Sequence, residues 1–322
     1  MRQFTVQPRY NQKRIDTFLF EMLPGVNASV IYKAFRKRSI KVNQKRVKES
    51  HLLASGDIVE VYIPDEYLKT SPNKAAGKLP SVVYEDDYII AVSKPQGIPV
   101  HRDENQDQIV LDEWVQDYVR KRNEANYEKD FPALCHRIDR NTGGLVLLSK
   151  DAKTLDIMQE KFKNHEIAKT YICVVLGTPE KKSGTLEGYL KKDSSKSRVF
   201  IYDHPVKNAD RIITRYRVKK YLGKFSLLEV ELVTGKTHQI RAHLAHIGCP
   251  LLGDGKYGKN EVNKALGLKW QALWAVKVGF PFSSPSGHLE YLKNKTIALP
   301  EISWEEGIKN LGISDDEHLI QV

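Results

Sequence analysis

Residues 65–80, DEYLKTSPNKAAGKLP, carry two prolines, small residues and lysines with no hydrophobic period. No element with a buried face runs through such a stretch, and its composition is that of a linker. The 322-residue chain is therefore expected to fold as two bodies, a short one before the break and a larger one after it, and at about 150 residues per domain its length suits two. The bodies differ in charge. Residues 1–80 hold 15 Lys/Arg against 7 Asp/Glu, so eight of the chain's eleven net positive charges lie in its first quarter. Lys33, Arg36, Lys37, Arg38, Lys41, Lys45, Arg46 and Lys48 follow one another with no acid among them. A merely solvated face would alternate signs, so a polyanion such as RNA is the expected partner of this surface.

Other classes are disfavoured. No uncharged apolar run approaches the roughly 20 residues of a membrane span, and the opening MRQFTVQPRYNQKR lacks the apolar core of a secretory signal. The three cysteines, Cys135, Cys173 and Cys249, are odd in number and have no CxxC spacing, which argues against a disulfide framework or a cysteine zinc site. A cytoplasmic monomer away from membranes is expected.

The basic segment has local shape. Ile31, Ala34 and Phe35 share one face of a short helix that Asn27 or Ser29 can cap, while Lys33, Arg36 and Lys37 take the opposite face. Ile40-Lys41-Val42 then alternates, Asn43-Gln44-Lys45 supplies a turn, and Gly56-Asp57 precedes a strand with Val59, Val61 and Ile63 on one face. Arg14-Ile15-Asp16 with Phe18-Leu19, the basic helix, Ile40-Lys41-Val42-Asn43 and Gly56-Asp57-Ile58-Val59 resemble the RNA-binding domain named after ribosomal protein S-four. That resemblance implies a domain over residues 12–64 that docks a helix on structured RNA. Lys33, Arg36, Lys37, Arg38, Lys41, Lys45 and Arg46 would meet phosphates, which hold an RNA without reading its sequence. Ser39 and Gln44 stand where the family often has glycine.

Beyond the break, Val82-Val83-Tyr84 and Tyr88 to Ser93 read as a hairpin turning at Glu85-Asp86-Asp87 and closed by Lys94-Pro95-Gln96-Gly97. Strand-like runs recur at residues 145–149, 171–176, 199–202, 212–218 and 225–232. Asp151 can cap a helix whose Ala152, Leu155, Met158 and Phe162 keep the helical period; Thr237 can cap another with Ile240, Leu244 and Ile247 inward before Gly248. Strands outnumber helices and do not alternate regularly with them. The expected class is α+β: a small N-terminal α/β RNA-binding module, then a catalytic domain over residues 81–300 with a mostly antiparallel mixed sheet and peripheral helices. Residues 301–322 read as an acidic tail.

The segment Cys135-His136-Arg137-Ile138-Asp139-Arg140-Asn141-Thr142-Gly143-Gly144-Leu145 carries the chemistry. A carboxylate between two arginines, followed by a Thr-Gly-Gly turn and an apolar strand, sits where the backbone bends and a ligand can approach. On residue types alone it also fits a surface loop with an ion pair. His136-Arg137-Ile138-Asp139 with Thr142-Gly143-Gly144-Leu145 resembles the HRLDxxTSGL signature of RNA pseudouridine synthases of the RluA type. Three further blocks keep the family's order: Tyr84-Glu85-Asp86-Asp87 through Lys94-Pro95-Gln96-Gly97, Lys169-Thr170-Tyr171, and Thr234-Gly235-Lys236-Thr237-His238-Gln239-Ile240-Arg241 with Gly253-Asp254.

The resemblance implies isomerisation of uridine to pseudouridine in large-subunit ribosomal RNA or in transfer RNA, with no cofactor. It makes Asp139 the catalytic carboxylate, acting as nucleophile or as base, Arg241 its ion-pair partner, and Tyr171 the ring that stacks on the target base. Arg137 would enter the space left by the flipped base. His238, His243 and His246 share one helix, but their spacing is not that of HExxH and no metal is expected. Cys135 lacks a nucleophile motif and reads as a buried structural thiol. A non-catalytic RNA-binding or ribosome-assembly factor on the same fold is the rival; a zinc deaminase lacks its HxE and PCxxC signatures. Departures from the family concern packing at Trp274 in Ala272-Leu273-Trp274-Ala275, where ALHA is common, and at Phe280-Pro281-Phe282, where FxHP is common; Gly143-Gly144 in place of the commoner Ser-Gly should loosen the turn after Asp139.

Overall fold

The computed structural model describes residues 2–23, 28–62, 79–102, 110–122, 131–193, 195, 197–300, 308 and 311. It divides into two compact units, one within residues 1–77 and one built from residues 78–102 and 109–322. Of the break read at residues 65–80, only Leu79 and Pro80 are among the described residues.

In the first unit, β1 (Arg2–Thr5), α1 (Ile15–Met22), α2 (Ala28–Arg36), β2 (Ile40–Val42), β3 (Lys45–Arg46) and β4 (Ile58–Val61) make a four-stranded antiparallel sheet, β1-β4-β2-β3, with two helices. Ile31, Ala34 and Phe35 are buried with Ile15, Phe18, Leu19, Val59 and Val61, as the helical and strand periods require. Arg36, Lys37, Arg38, Lys45 and Arg46 are exposed and Lys41 is half-buried. Asn27, and the side chains of Ser29 and Lys33, lie outside the described residues. The two departures from glycine are absorbed locally. Asn43 (φ 48°) and Gln44 (φ 64°) form the left-handed pair of a tight hairpin turn, pinned by Asn43 Nδ2 donating to Asp57 Oδ1 at 2.8 Å. At the end of α2 the left-handed residue is Arg38 (φ 57°), so Ser39 need not be one.

The second unit has β5 (Ser81–Glu85), β6 (Ile89–Lys94), α3 (Leu111–Arg122), β7 (Ala133–Leu134), β8 (Gly143–Ser149), α4 (Ala152–Lys163), β9 (Ala168–Leu176), β10 (Ser183–Asp193), β11 (Arg198–Tyr202), β12 (Asp210–Leu222), β13 (Phe225–Leu232), α5 (Gln239–His246), α6 (Asn260–Ala265), β14 (Leu273–Gly279) and β15 (Thr296–Ala298). Its sheet runs β11-β10-β12-β13-β9-β14-β8-β6-β5, with β15 on β14 and β7 on β8. Among the described pairs only β8 with β14 is parallel, which makes the mixed, mostly antiparallel α+β architecture expected from the strand count.

The sheet is covered on both faces, so β8 is buried along its whole length and shows no alternation in sequence. Leu145 and Leu147 pack with Met158 of α4, while Val146 and Leu148 pack with Leu111, Val115 and Val119 of α3. Further along, Cys173, Val175, Leu228 and Val230 meet Ile240 and Leu244 of α5. On the other face Ile172, Val174 and Trp274 pack with Leu252 and with Leu311, a residue of the segment read as a tail.

The Asp151 cap forms, with Thr154 N donating to Asp151 Oδ1 at 2.8 Å. The Thr237 cap does not. α5 begins after His238, which has φ 56°, and the buried Gln239 takes over: its Oε1 accepts from Lys236 N at 3.1 Å and Thr234 Oγ1 at 2.9 Å. Strand β10 escapes sequence reading because most of its side chains are exposed or half-buried, with only Gly188 and Leu190 buried, and it ends on three charged residues, Lys191, Lys192 and Asp193.

Candidate active site

Asp139 lies on the loop that enters β8, and Thr142 N donates to Asp139 O at 3.0 Å to close a turn there. The start of β8 is packed more tightly than the sequence implies. Parallel pairing puts Trp274 of β14 opposite Gly143 of β8, and a Cβ added at Gly143 would lie 2.7 Å from Trp274 Cδ1. Two of the departures from the family pattern, Trp274 and Gly143, therefore meet: the indole occupies the space a serine side chain would need. Gly143 does not loosen the turn, because it is already a strand residue under that ring.

The loop is held from below by Lys94, the buried last residue of β6. Its Nζ donates to the carbonyls of Pro95 (3.1 Å), Ile98 (2.8 Å) and Arg140 (2.8 Å), the last directly after Asp139. Burial lowers the Lys94 pKa to about 7, with the Asp139 charge working in the opposite direction. In the sequence Lys94 stands only as part of a block, with no role of its own.

Arg241, on the buried side of α5, joins two carboxylates. Its Nη1 donates to Asp139 Oδ2 at 2.8 Å, while Nε and Nη2 grip Asp254 at 2.7 and 2.9 Å. Burial opposes the guanidinium charge, but Asp254 and Asp139 outweigh it and hold Arg241 firmly protonated. The Asp254 side chain is fully buried, which by itself would favour its neutral form; Arg241 and the backbone N–H groups of Lys256 and Tyr257 keep it below the usual carboxylate range. Asp254 thus fixes the fork that presents one N–H to Asp139, a second site residue for which the sequence names only a motif position.

Tyr171 of β9 is buried against the same space, and burial, reinforced by the Asp139 charge, raises its pKa so that the phenol stays protonated. Arg137 is exposed at the rim. The three histidines face three different partners: His238 Nδ1 contacts the Tyr257 hydroxyl at 3.0 Å and its Nε2 lies 3.9 Å from Asp139, His243 bonds the Thr214 hydroxyl at 3.0 Å, and His246 pairs with Asp203 at 2.8 Å. Burial lowers the pKa of His238, and that of His243 to about 4, so both are neutral near pH 7. Cys135 is a buried thiol, its pKa pushed up to about 12 by burial.

Asp139, Tyr171, Arg241 and Arg137 all line one cleft of about 820 Å³, a size that takes a nucleoside. The floor offers a carboxylate whose charge is balanced by a fixed guanidinium, beside a protonated phenol. The exposed cations of the first unit belong to the other body.

Residues 88–246 match the RNA pseudouridylate synthase family and residues 13–59 match the S4 domain. The chain is 33% identical over 258 residues to ribosomal large subunit pseudouridine synthase C of Buchnera aphidicola, covering 78% of this chain and 79% of that protein. It is 31% identical over 264 residues to the protein of that name in Escherichia coli, covering 79% of each. The chain belongs to the RNA pseudouridylate synthase family. As a member it is an RNA pseudouridine synthase with an S4 domain ahead of its catalytic fold. Two solved human proteins share that fold: RNA pseudouridylate synthase domain containing 4, with a TM-score of 0.57 at 22% identity over 73% of this chain and 94% of that one, and domain containing 1, with 0.51 at 20% identity over 74% and 96%. Among its described residues no helix is long and apolar enough to cross a membrane.

Proposed function

We propose that this synthase isomerises uridine in large-subunit ribosomal RNA with Asp139 as its catalytic carboxylate. The 2.8 Å contact between Arg241 Nη1 and Asp139 Oδ2 carries this reading, because a fixed guanidinium orients the carboxylate that faces the space a base would occupy. The reaction breaks the N1–C1′ bond, turns the uracil and joins C5 to C1′; N1 gains a proton and C5 loses one. Atoms and electrons balance within the nucleotide, so no cofactor enters. Asp139 serves either by attacking a carbon or by removing a sugar proton, and both need its charge. Tyr171 supplies a flat, protonated ring on which the base stacks, and Arg137 takes up the stack vacated by the flipped uridine, whose extrusion costs a few kcal/mol.

The names of the relatives point to ribosomal RNA rather than transfer RNA. Residues 12–64 serve as the RNA grip and residues 81–300 as the catalytic domain. The enzyme acts as a monomer, since one chain supplies every group of the cleft, and in the cytoplasm, where ribosomal RNA and its three buried free thiols are at home.

The test is tritium release from [5-³H]uridine-labelled ribosomal and transfer RNA by wild type and Asp139→Asn. Wild type should release tritium from ribosomal RNA, and the variant should lose about 10³-fold or more with RNA affinity unchanged. Equal rates would remove Asp139 from the chemistry; release from transfer RNA alone would move the substrate.

A further inference from the structure

The cleft contains more positive charge than its acids use. Among its lining residues the only carboxylates are Asp139, paired with Arg241, and Asp210, whose Oδ1 lies 2.8 Å from Lys236 Nζ. Arg137, Lys163 and Lys169 line the same cleft with no acid within ion-pair distance among the described residues. Arg137 and Lys163 are exposed to solvent. Lys169 differs. It is half-buried on β9, two residues before Tyr171 and so on the same face, with its Nζ 5.5 Å from the Phe162 ring centre.

Its neighbours are built around the ammonium without neutralising it. A Cβ at Gly235 would lie 2.7 Å from Lys169 Nζ, so that glycine leaves room for the head group. His136, which feels the Lys169 charge, is neutral: burial takes its pKa down to about 3, and its Nε2 accepts from Leu147 N at 3.1 Å. Burial alone pushes the Lys169 pKa below its usual value, with no opposing anion. A partly dehydrated cation without a counter-charge costs stability, and unlike Lys94, whose ammonium is held by three carbonyls, Lys169 would have that cost offset by an anion that a ligand brings.

We infer that Lys169 binds a phosphodiester adjacent to the target uridine, fixing the flipped nucleotide's backbone while Tyr171 and Asp139 face its base and sugar. Uracil is uncharged and offers only dipoles; a phosphate oxygen offers a full charge, and the strand on which Lys169 sits also carries the residue assigned to the base. Arg137 and Lys163 extend the same unpaired charge along the cleft wall. This inference rests on the proposed reading of the cleft as the site of uridine isomerisation.

The experiment compares full-length wild type, Lys169→Met and Lys169→Arg on a large-subunit ribosomal RNA transcript, measuring Kd and single-turnover tritium release against salt, with Tm alongside. Loss of one phosphate contact should lower the slope of log affinity against log salt by about 0.7 for Lys169→Met, whereas Lys169→Arg keeps the wild-type slope. KM should rise at least several-fold with a smaller change in kcat. The Tm of Lys169→Met should equal or exceed that of wild type, since a half-buried charge without a counter-ion is replaced by an apolar chain of similar length. In a stem-loop carrying the uridine mapped in the wild-type reaction, one neutral methylphosphonate beside that uridine should weaken wild type as much as Lys169→Met does, and should add nothing to the variant. An unchanged salt slope, a lowered Tm, or full additivity at every phosphate tested would overturn the assignment. A wild type that binds RNA without releasing tritium would sink the enzymatic reading instead, and the Kd slopes would still decide Lys169.

Discussion

The two units of this synthase use charge in opposite ways. In the S4 unit the cations of residues 33–48 are numerous and without acids along their stretch of chain, and Arg36, Lys37, Arg38, Lys45, Arg46 and Lys48 are exposed, so each contributes a small, salt-screened attraction that any phosphate backbone can satisfy. In the catalytic unit the decisive charges are few and enclosed. Asp139, Arg241 and Asp254 form one chain in which the side chains are 25%, 8% and 0% exposed, so the charges become steadily drier away from the substrate. Dispersed charge gives grip that tolerates substitution, because no single phosphate contact dominates. Enclosed charge gives geometry that does not.

That contrast predicts where single changes hurt. Asp254→Ala should be the most damaging to the fold, because it removes two of the three carboxylate hydrogen bonds of a buried guanidinium and leaves Asp139 as its single acid among the described residues; a loss of up to about 3–5 kcal/mol is expected in urea unfolding, together with loss of tritium release. The same pair sets a pH dependence. Asp254 is held below its ordinary pKa in the folded chain, so the unfolded chain takes up the proton first as acid is added. Its stabilisation is complete above the unfolded value of about 3.9 and is lost as pH falls through the lower folded value, and Asp254→Asn should flatten that part of the stability curve. Equal acid slopes would show that the pair does not stabilise the fold.

A smaller effect is expected where β8 meets β14. Gly143→Ser should cost about 1–3 kcal/mol through its clash with Trp274, and Trp274→His in the same chain should recover part of it. Additive costs would mean that the two departures from the family pattern are unrelated.

These cases also show what the sequence could and could not reveal. Asp139, Tyr171 and Arg241 were legible because each lies in a short block of residues whose order is kept along the chain. The groups that hold them were not. Asp254 acts on a guanidinium 13 residues away through two hydrogen bonds, and Lys94 acts on a carbonyl 46 residues away, a contact that leaves no pattern of residue types because every residue has a carbonyl. Gly143 and Trp274 meet only because one strand pair in a mostly antiparallel sheet is parallel, a register that hydrophobic period does not encode. The helix that presents Arg241 is marked by its period, but its start is not, since Gln239 bonds backward and replaces the hydroxyl cap. Lys169 stands within a motif block, yet its burial without an acid beside it is a property of the fold that the block does not show.

The division of labour itself is tested most directly by exchanging Arg36, Lys37 and Lys45 for alanine in the full chain and following single-turnover tritium release from ribosomal RNA across RNA and salt concentrations. The salt slope of affinity should fall by about two, at roughly 0.7–0.9 per lost phosphate contact, while the rate at saturating RNA stays at the wild-type value. A saturating rate that falls with affinity, or a salt slope that does not change, would contradict it.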